Sequence, residues 1–462
     1  MRPVCTPAEM RAVDEAAYAS VGLEVLVERA GFAVAGTAAR LLGGTYGRRV
    51  VVVAGRGHNG DDGRVAARLL ARRGARCTVV PAGEAPEQLP ECDLVVDAAY
   101  GTGFRGSYRA PSPPPGVPVL AVDVPSGLDG ETGEAGEGAV LADATVTFVA
   151  LKVGLLVGRG PSLAGAVHVA DIGLDPGRPG AHQVEDLDIA AWLPRRARDA
   201  HKWQHAVLVV AGSPGMLGSA ELCSRAALRS GSGMVRLGSP GTEPGAVPVA
   251  EAVAIGLPLE DWAGAALEQA GRCKAVVLGP GLGTSDAARA GVRAVLAEAA
   301  VPVVLDADGL NCLGELRDPV EDPGGAGALL ARRPAPTVLT PHEGELARLT
   351  GRLPSASRLA EARHLARRFG VTMLLKGSTT VVAAPSGEVL LSTAGSSRLA
   401  TAGTGDVLSG VIGAFVAQGV EPHRAAALAA HVHGRAASRG RPAGLVAGDL
   451  PELVSSVLSW RG

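Results

Sequence analysis

Along the chain, unbroken apolar runs of strand length alternate with longer stretches whose apolar residues recur at helical spacing. Residues 9–42 read as helix, interrupted at Gly22. An all-apolar strand at 50–54 ends in a glycine-rich loop, and residues 64–73 form the helix after it. Further strands are expected at 77–80, 94–97, 119–123, 144–148 and 166–169. Between 175 and 200 Pro, Gly, Arg and Asp dominate, with one short apolar run at 189–193, so this stretch reads as a linker. A second series follows, with strands at 206–211, 275–278, 301–305, 337–339 and 372–375. Runs at 381–384 and 389–391 suggest a hairpin around Pro385-Ser386-Gly387, and 407–417 is an apolar helix. Continuous apolar strands alternating with helices imply parallel sheets covered on both faces. The pattern therefore predicts an α/β protein of two domains, 1–174 and 201–462, without a sequence repeat between them. Ligands on such sheets sit beyond the C-terminal ends of the strands.

Composition narrows the picture. The chain has 462 residues, 47% of them apolar but only 3% aromatic, so its cores must be built from Val, Leu and Ala. A net charge of −2 gives no footprint for nucleic acid or a membrane surface. No apolar run reaches membrane-spanning length, and the first residues lack the apolar core of a signal peptide. Six cysteines form no C-x-x-C pair and no zinc spacing; they read as buried thiols in a reducing cytoplasm. Only four lysines occur, Lys152, Lys202, Lys274 and Lys376, and only two asparagines, Asn59 and Asn311. In a chain so sparing of both types, each survivor is a candidate for a specific task.

Three loops of the first half combine acids with glycines at strand ends. The first runs Gly55-Arg56-Gly57-His58-Asn59-Gly60-Asp61-Asp62-Gly63. It superficially fits a dinucleotide fingerprint, but acids occupy the place of the pyrophosphate. Asn59 and Asp62 are oxygen donors that a hard cation would want together with Asp97 and Ser126; a capped turn is the alternative. The second loop, Asp97 to Gly106, and the third, Asp123 to Gly133, each place an aspartate at a strand end before glycines.

The second half carries Thr401-Ala402-Gly403-Thr404-Gly405-Asp406 before the apolar helix. Converging backbone N–H groups and the helix dipole would make an anion hole there, with Asp406 at its edge as a base. An aspartate N-cap after a glycine turn explains the same residues. Gly212 to Ala220, Gly279 to Gly283, Asp306 to Asn311, Thr340 to Glu345 and Lys376 to Thr380 follow other strands. No Walker A pattern is present. His342 reads either as a ligand contact or as a helix cap.

With Met10 to Gly31, the first three loops resemble the NAD(P)H-hydrate epimerase family, most specifically at Asp123 to Asp129 and Gly101 to Gly106. That resemblance implies a Rossmann-like parallel-sheet sandwich. It implies potassium on Asn59, Asp97 and Ser126. It also implies substrate on His58, Asn59, Gly60, Asp61 and Asp62, on Gly101, Thr102, Gly103, Phe104, Arg105, Gly106 and Ser107, and on Asp123, taken as the proton-handling residue. The family's first loop reads N-N-G-G-D-G; here His58 replaces an asparagine and Asp61 a glycine. The motifs of the second half resemble, in order, the ADP-dependent NAD(P)H-hydrate dehydratase family, a branch of the ribokinase-like superfamily. That implies an α/β/α domain with Asp406 catalytic and substrate near Ala220, Gly283, His342 and Asp406. Nucleotide falls on Lys376, Gly377, Ser378, Thr379, Thr380 and Gly405. Ser219 stands where small apolar residues are usual. Together the halves resemble the bifunctional nicotinamide nucleotide repair family. The implied chemistry interconverts R and S hydrates of NAD(P)H and dehydrates the S form with ADP as co-substrate, giving AMP and phosphate. Mg²⁺ and K⁺ are the implied ions, with Asp306, Asp308, Asn311 and Glu345 as open candidates for magnesium. A homo-oligomer is expected, with no nucleic-acid or membrane partner. A small-molecule kinase fused to a non-catalytic binding or oligomerisation module is the competing reading.

Overall fold

Valine is β-branched and suits a strand buried on both faces, and Val50–Val53 form such a strand, one in from the edge of the first sheet. In the computed structural model, which describes residues 1–459, the chain divides into two units, Arg2–Ala181 and the residues from His182 onward together with Met1. The six-stranded sheet of the first unit is parallel, in the order Arg76–Pro81, Arg49–Ala54, Leu94–Ala98, Val119–Val122, Ala144–Phe148, Ala166–Ala170. The four central strands are buried almost throughout; the two edge strands are largely exposed. All the strands expected here are present, and the helical stretch is two helices, Pro7–Ser20 and Leu23–Leu42, separated at Gly22 with φ 89°. Thr6 and Glu9 form a capping box that starts the first of them.

One boundary differs in a way that bears on the site. The helix expected at 64–73 spans His58–Arg72, so the acid-and-glycine loop is the first turns of a helix. Its glycines serve packing. A Cβ on Gly60 would lie 2.1 Å from the Gly55 carbonyl oxygen, and one on Gly63 would lie 2.5 Å from the Ala98 Cβ. The helix start is thereby pressed onto the strand ends, which sets His58, Asn59 and Asp62 beside the loops that follow Leu94–Ala98 and Val119–Val122.

In the second unit nine strands run in the order Val253–Ile255, Met234–Gly238, Ala206–Val210, Ala275–Leu278, Val303–Leu305, Thr337–Leu339, Thr372–Leu375, Thr380–Ala383, Val389–Ser392. The first seven are parallel, and the last two form the expected antiparallel hairpin, its turn closed by Gly387 at φ 94°. Met234–Gly238 and Val253–Ile255 were not expected from the sequence. The helix Thr404–Ala417 is buried on nearly every side, consistent with its apolar composition. Gly410 and Gly413 let it approach: a Cβ at either would lie 2.2 Å from the Cys223 carbonyl oxygen or 2.3 Å from Val277. Within 175–200, residues Asp186–Trp192 form a helix, and Ile189 and Leu193 join the core of the second unit. All six cysteines are free, and five are buried. Among the described residues no helix is long and apolar enough to cross a membrane.

Candidate active sites

The first unit has a cavity of about 490 Å³ beyond the C-terminal ends of its strands. Asp14, Tyr18, Asn59, Asp62, Asp123 and Lys152 are among the polar residues that line it, beside apolar Met10, Leu26, Val27, Ala30 and Phe148. Asp123 follows the strand Val119–Val122 with φ 68°, a left-handed conformation that costs a non-glycine residue energy. Its carboxylate accepts the Thr102 N–H at 2.8 Å, the Thr102 hydroxyl, and the Thr147 hydroxyl at 3.2 Å, and it pairs with the Lys152 ammonium at 3.1 Å. Burial alone would raise the Asp123 pKa, but Lys152 and the Thr102 donors outweigh it and hold the carboxyl below its ordinary value. Asp62 is the opposite case. It is buried, no hydrogen bond or ion pair reaches it among the described residues, and burial, followed by Asp123, Asp61 and Asp14, pushes it up to about 8.

Asp97, Asn59 and Ser126 lie in the same region. The Asp97 carboxylate accepts Ser126 N at 2.8 Å, Ser126 Oγ at 2.7 Å and Ala99 N at 3.3 Å. No cation side chain offsets its burial, which raises its pKa to about 6. The Asn59 amide nitrogen is buried without a partner. An all-oxygen donor set with one buried, uncompensated carboxylate suits a monovalent cation.

Not every residue of the expected substrate set lines the cavity. Gly101, Thr102, Gly103 and Phe104 do, as does His58, whose Nδ1 lies 3.2 Å from the Tyr18 hydroxyl. Gly60 is buried in the helix start. Asp61 pairs with Arg64 at 3.0 Å and does not itself line the cavity, but its charge acts on Asp62. Arg105 and Gly106 border a separate concavity, where Arg105 meets Asp129 at 3.3 Å, and Ser107 is exposed.

In the second unit Asp406 occupies the first turn of Thr404–Ala417. The residue capping that helix is Gly403, left-handed at φ 88°, so Asp406 is not its N-cap. The Ser219 hydroxyl lies close enough to the Asp406 carboxyl to favour its charged form. Burial raises Asp406 to about 6, with Ser219 opposing and Asp306 adding to the rise. Asp306 is 1% exposed and bridges Lys376 Nζ and Ser409 Oγ. Lys376 Nζ also lies 3.4 Å from the position a Cβ would take on Gly405, beside the free N–H groups of the helix start. Ala307, next to Asp306, has φ 50°; with Asp123 and Val149 it makes three of the four non-glycine residues with positive φ among those described, all beside these two sites.

Gly283 N donates to Asp308 Oδ2 at 2.9 Å, Asn311 Nδ2 to Asp308 Oδ1 at 3.3 Å, and Arg348 Nε to Asn311 Oδ1 at 3.0 Å, which uses the second rare asparagine as a bridge. His342 caps the helix Glu343–Thr350: its Nδ1 accepts Gly344 N at 3.0 Å and Glu345 N at 3.3 Å. Glu345 turns back onto His342 N at 2.9 Å, so it completes a capping box and offers magnesium little. Ala220 is wholly buried in the core, and its Cβ lies 3.0 Å from the position a Cβ would take on Gly212. Ser378 and Gly377 are exposed in the turn after Lys376, Thr379 is buried, and Thr380 opens the next strand.

Sequence reasoning assigned no role to Lys152, Asp14 or Tyr18. For Lys152 the signal was its rarity. For Asp14 and Tyr18 it was only that the resemblance extends over Met10 to Gly31, since they come from a helix far from the loops in sequence.

A family model described as NAD(P)H-hydrate dehydratase matches residues 207–458. One described as YjeF-related protein N-terminus matches 23–92 and 81–154. A bifunctional NAD(P)H-hydrate repair enzyme of Salinibacter ruber is 36% identical over 99% of this chain and 96% of its own length. Another from Mycobacterium leprae is 38% identical, covering 99% and 98%. A ribokinase-like superfamily protein of Enterococcus faecalis, 20% identical, superimposes with a TM-score of 0.52 over 61% of this chain and 97% of that one, which fixes the fold of the second unit. The chain thus joins a parallel-sheet α/β unit to a ribokinase-like one. It belongs to the family of bifunctional NAD(P)H-hydrate repair enzymes.

Proposed function

We propose that the protein repairs hydrated NADH and NADPH, the first unit interconverting the R and S hydrates and the second dehydrating the S form at the expense of ADP. The observation that carries the second activity is Asp406 in the first turn of a helix capped by Gly403, with Lys376 Nζ beside Gly405 in a chain that has no P-loop.

The hydrate bears a hydroxyl on C6 of the reduced nicotinamide ring, next to the ring nitrogen. Asp406 takes the hydroxyl proton, and the oxygen attacks the terminal phosphorus of ADP. The bond from that phosphorus to the bridging oxygen breaks and AMP leaves. Lys376 and the first-turn N–H groups hold the phosphoryl charge. The phosphate ester then departs from C6, driven by the ring nitrogen lone pair, and loss of a C5 proton restores NAD(P)H. Magnesium would come with the nucleotide phosphates, since such ions keep substrate phosphates and waters among their ligands. Asp308 is the acid best placed to assist, because Asp306 is already paired with Lys376. In the first unit Asn59, Asp97 and Ser126 would hold potassium, whose charge would balance the buried Asp97. The hydrate would lie in the cavity against Gly101 to Phe104, His58, Asp62 and Asp123.

The test is product analysis with the purified chain, chemically hydrated NADH, ADP and Mg²⁺. Regenerated NADH, AMP and orthophosphate should appear in equal amounts. A stable phosphorylated hydrate, or a requirement for ATP, would favour the small-molecule kinase instead.

A further inference from the structure

We propose that Asp62 is the group that moves the proton when the first unit interconverts the hydrate epimers, with Asp123 beside it as a fixed anion; this rests on reading that unit as the epimerase. Both residues line the same cavity. A carboxylate has about four acceptor sites. On Asp123 four donors fill them: Thr102 N, Thr102 Oγ1, Thr147 Oγ1 and Lys152 Nζ. An anion so held is a poor proton acceptor. Asp62 is 7% exposed, faces the cavity, and has no donor or cation among the described residues. A buried polar group without a partner calls for a reason, and a ligand that supplies the partner is one.

Burial and the acids around Asp62 favour its neutral form. Asp14 and Tyr18 face it from the helix Pro7–Ser20, Asp61 and His58 from its own helix, and Asp123 from the strand end. Arg56 and Lys152 are the cations on the wall of this cavity; neither bonds Asp62, and the three donors of Lys152 are spent on Phe148 O, Ala150 O and Asp123. Burial and the three acids together put Asp62 at about 8, while Asp123 stays below its ordinary range. Neighbouring carboxyls driven apart in this way divide the acid and anion roles.

A neutral carboxyl group both donates and accepts, which matches the hydrate, whose hydroxyl and ring nitrogen share C6. The Asp62 carbonyl oxygen takes the hydroxyl proton while its O–H gives a proton to the ring nitrogen. The C6–N bond breaks with its electron pair going to nitrogen, and C6–O becomes a carbonyl. Rotation about C5–C6 presents the other face of the aldehyde, and the reverse transfer closes the ring as the other epimer. Asp62 ends with one proton, as it began, and no further reactant is needed.

The experiment follows conversion of the R epimer by the full chain without ADP, so that dehydration does not drain the product. Asp62→Asn should lower kcat by about 10²- to 10⁴-fold with KM changed only a few fold. Asp62→Glu should recover part of the rate. The wild-type rate should fall above pH about 8 as Asp62 loses its proton, and the residual rate of Asp62→Asn should lack that fall. Asp62→Ala serves as a second variant should the amide not fold. Asp62→Asn with near-normal kcat, or with its whole loss in KM, overturns the proposal and leaves the epimerase reading standing. A wild-type chain that converts the R epimer no faster than the spontaneous reaction removes the epimerase reading, and the proposal with it.

Discussion

The Lys152 ammonium lies 3.1 Å from Asp123 Oδ1, and the chain bends sharply to put it there. Val149, three residues before it, has φ 67°, which a β-branched residue rarely adopts, and Ala150 N closes a tight turn onto Phe148 O at 2.7 Å. Lys152 is 2% exposed and spends its remaining donors on the Phe148 and Ala150 carbonyls. Strain at both ends of one ion pair marks a geometry held for a purpose. Lys152→Met should leave Asp123 without its cation and destabilise the first unit by roughly 3 kcal/mol. Adding Asp123→Asn should restore most of that loss. Urea unfolding of the single and double variants checks it; equal stability of Lys152→Met and the wild type would contradict it.

Ser219 bears on the pH dependence of dehydration. Asp406 must be ionised to act as a base, so the rate should fall as pH drops through about 6. The Ser219 hydroxyl favours the carboxylate, and its removal in Ser219→Ala should raise the Asp406 pKa further. The acid limb of kcat/KM should then move to higher pH by about one unit, since a hydrogen bond to a charged group contributes about 1.5 kcal/mol. An unmoved limb would show that another group titrates.

Lys376 has two tasks, and one cycle separates them. Lys376→Ala should weaken ADP binding more than hydrate binding, because a phosphate-facing ammonium is lost. It also leaves Asp306, 1% exposed, without its cation, at a cost of about 3 kcal/mol. Lys376→Ala combined with Asp306→Asn should recover stability but not ADP affinity. Calorimetric titration with ADP and thermal unfolding read the two quantities; recovery of ADP affinity in the double variant would remove Lys376 from the nucleotide site.

Asn59→Ala with Asp97→Ala should abolish any potassium-dependent part of epimerisation, because two oxygen donors leave one small site. Dehydration of the S epimer should continue. The check compares R-epimer conversion in potassium with that in a large inert cation. A potassium response surviving in the double variant would place the ion elsewhere.

Much of this was legible in the sequence because it is local. Valine runs ending on Asp97 and Asp123 mark strand ends, and glycines between acids mark the loops beyond them. The start of the helix at His58 was not legible, because Gly60 and Gly63 are required by contacts with Gly55 and Ala98 that only the folded sheet creates. The helix Asp186–Trp192 was hidden by its polar flanks, although Ile189 and Leu193 reach the core. His342 was read as a ligand contact or a cap, and its Nδ1 proves to cap. The Lys152–Asp123 pair spans residues that no spacing rule connects, so only the rarity of lysine hinted at it.

The central claim is that one chain rescues both hydrate epimers, and a single recording tests it. The full chain is mixed with an R-enriched hydrate of NADH, ADP, Mg²⁺ and potassium, and the absorbance of NADH is followed beside an Asp406→Asn sample. The wild type should return nearly all the hydrate to NADH, faster than spontaneous epimerisation allows. Asp406→Asn should return about 10²- to 10⁴-fold less per unit time while still scrambling R into S. Recovery by the wild type limited to the initial S fraction, or undiminished recovery by Asp406→Asn, would contradict the account.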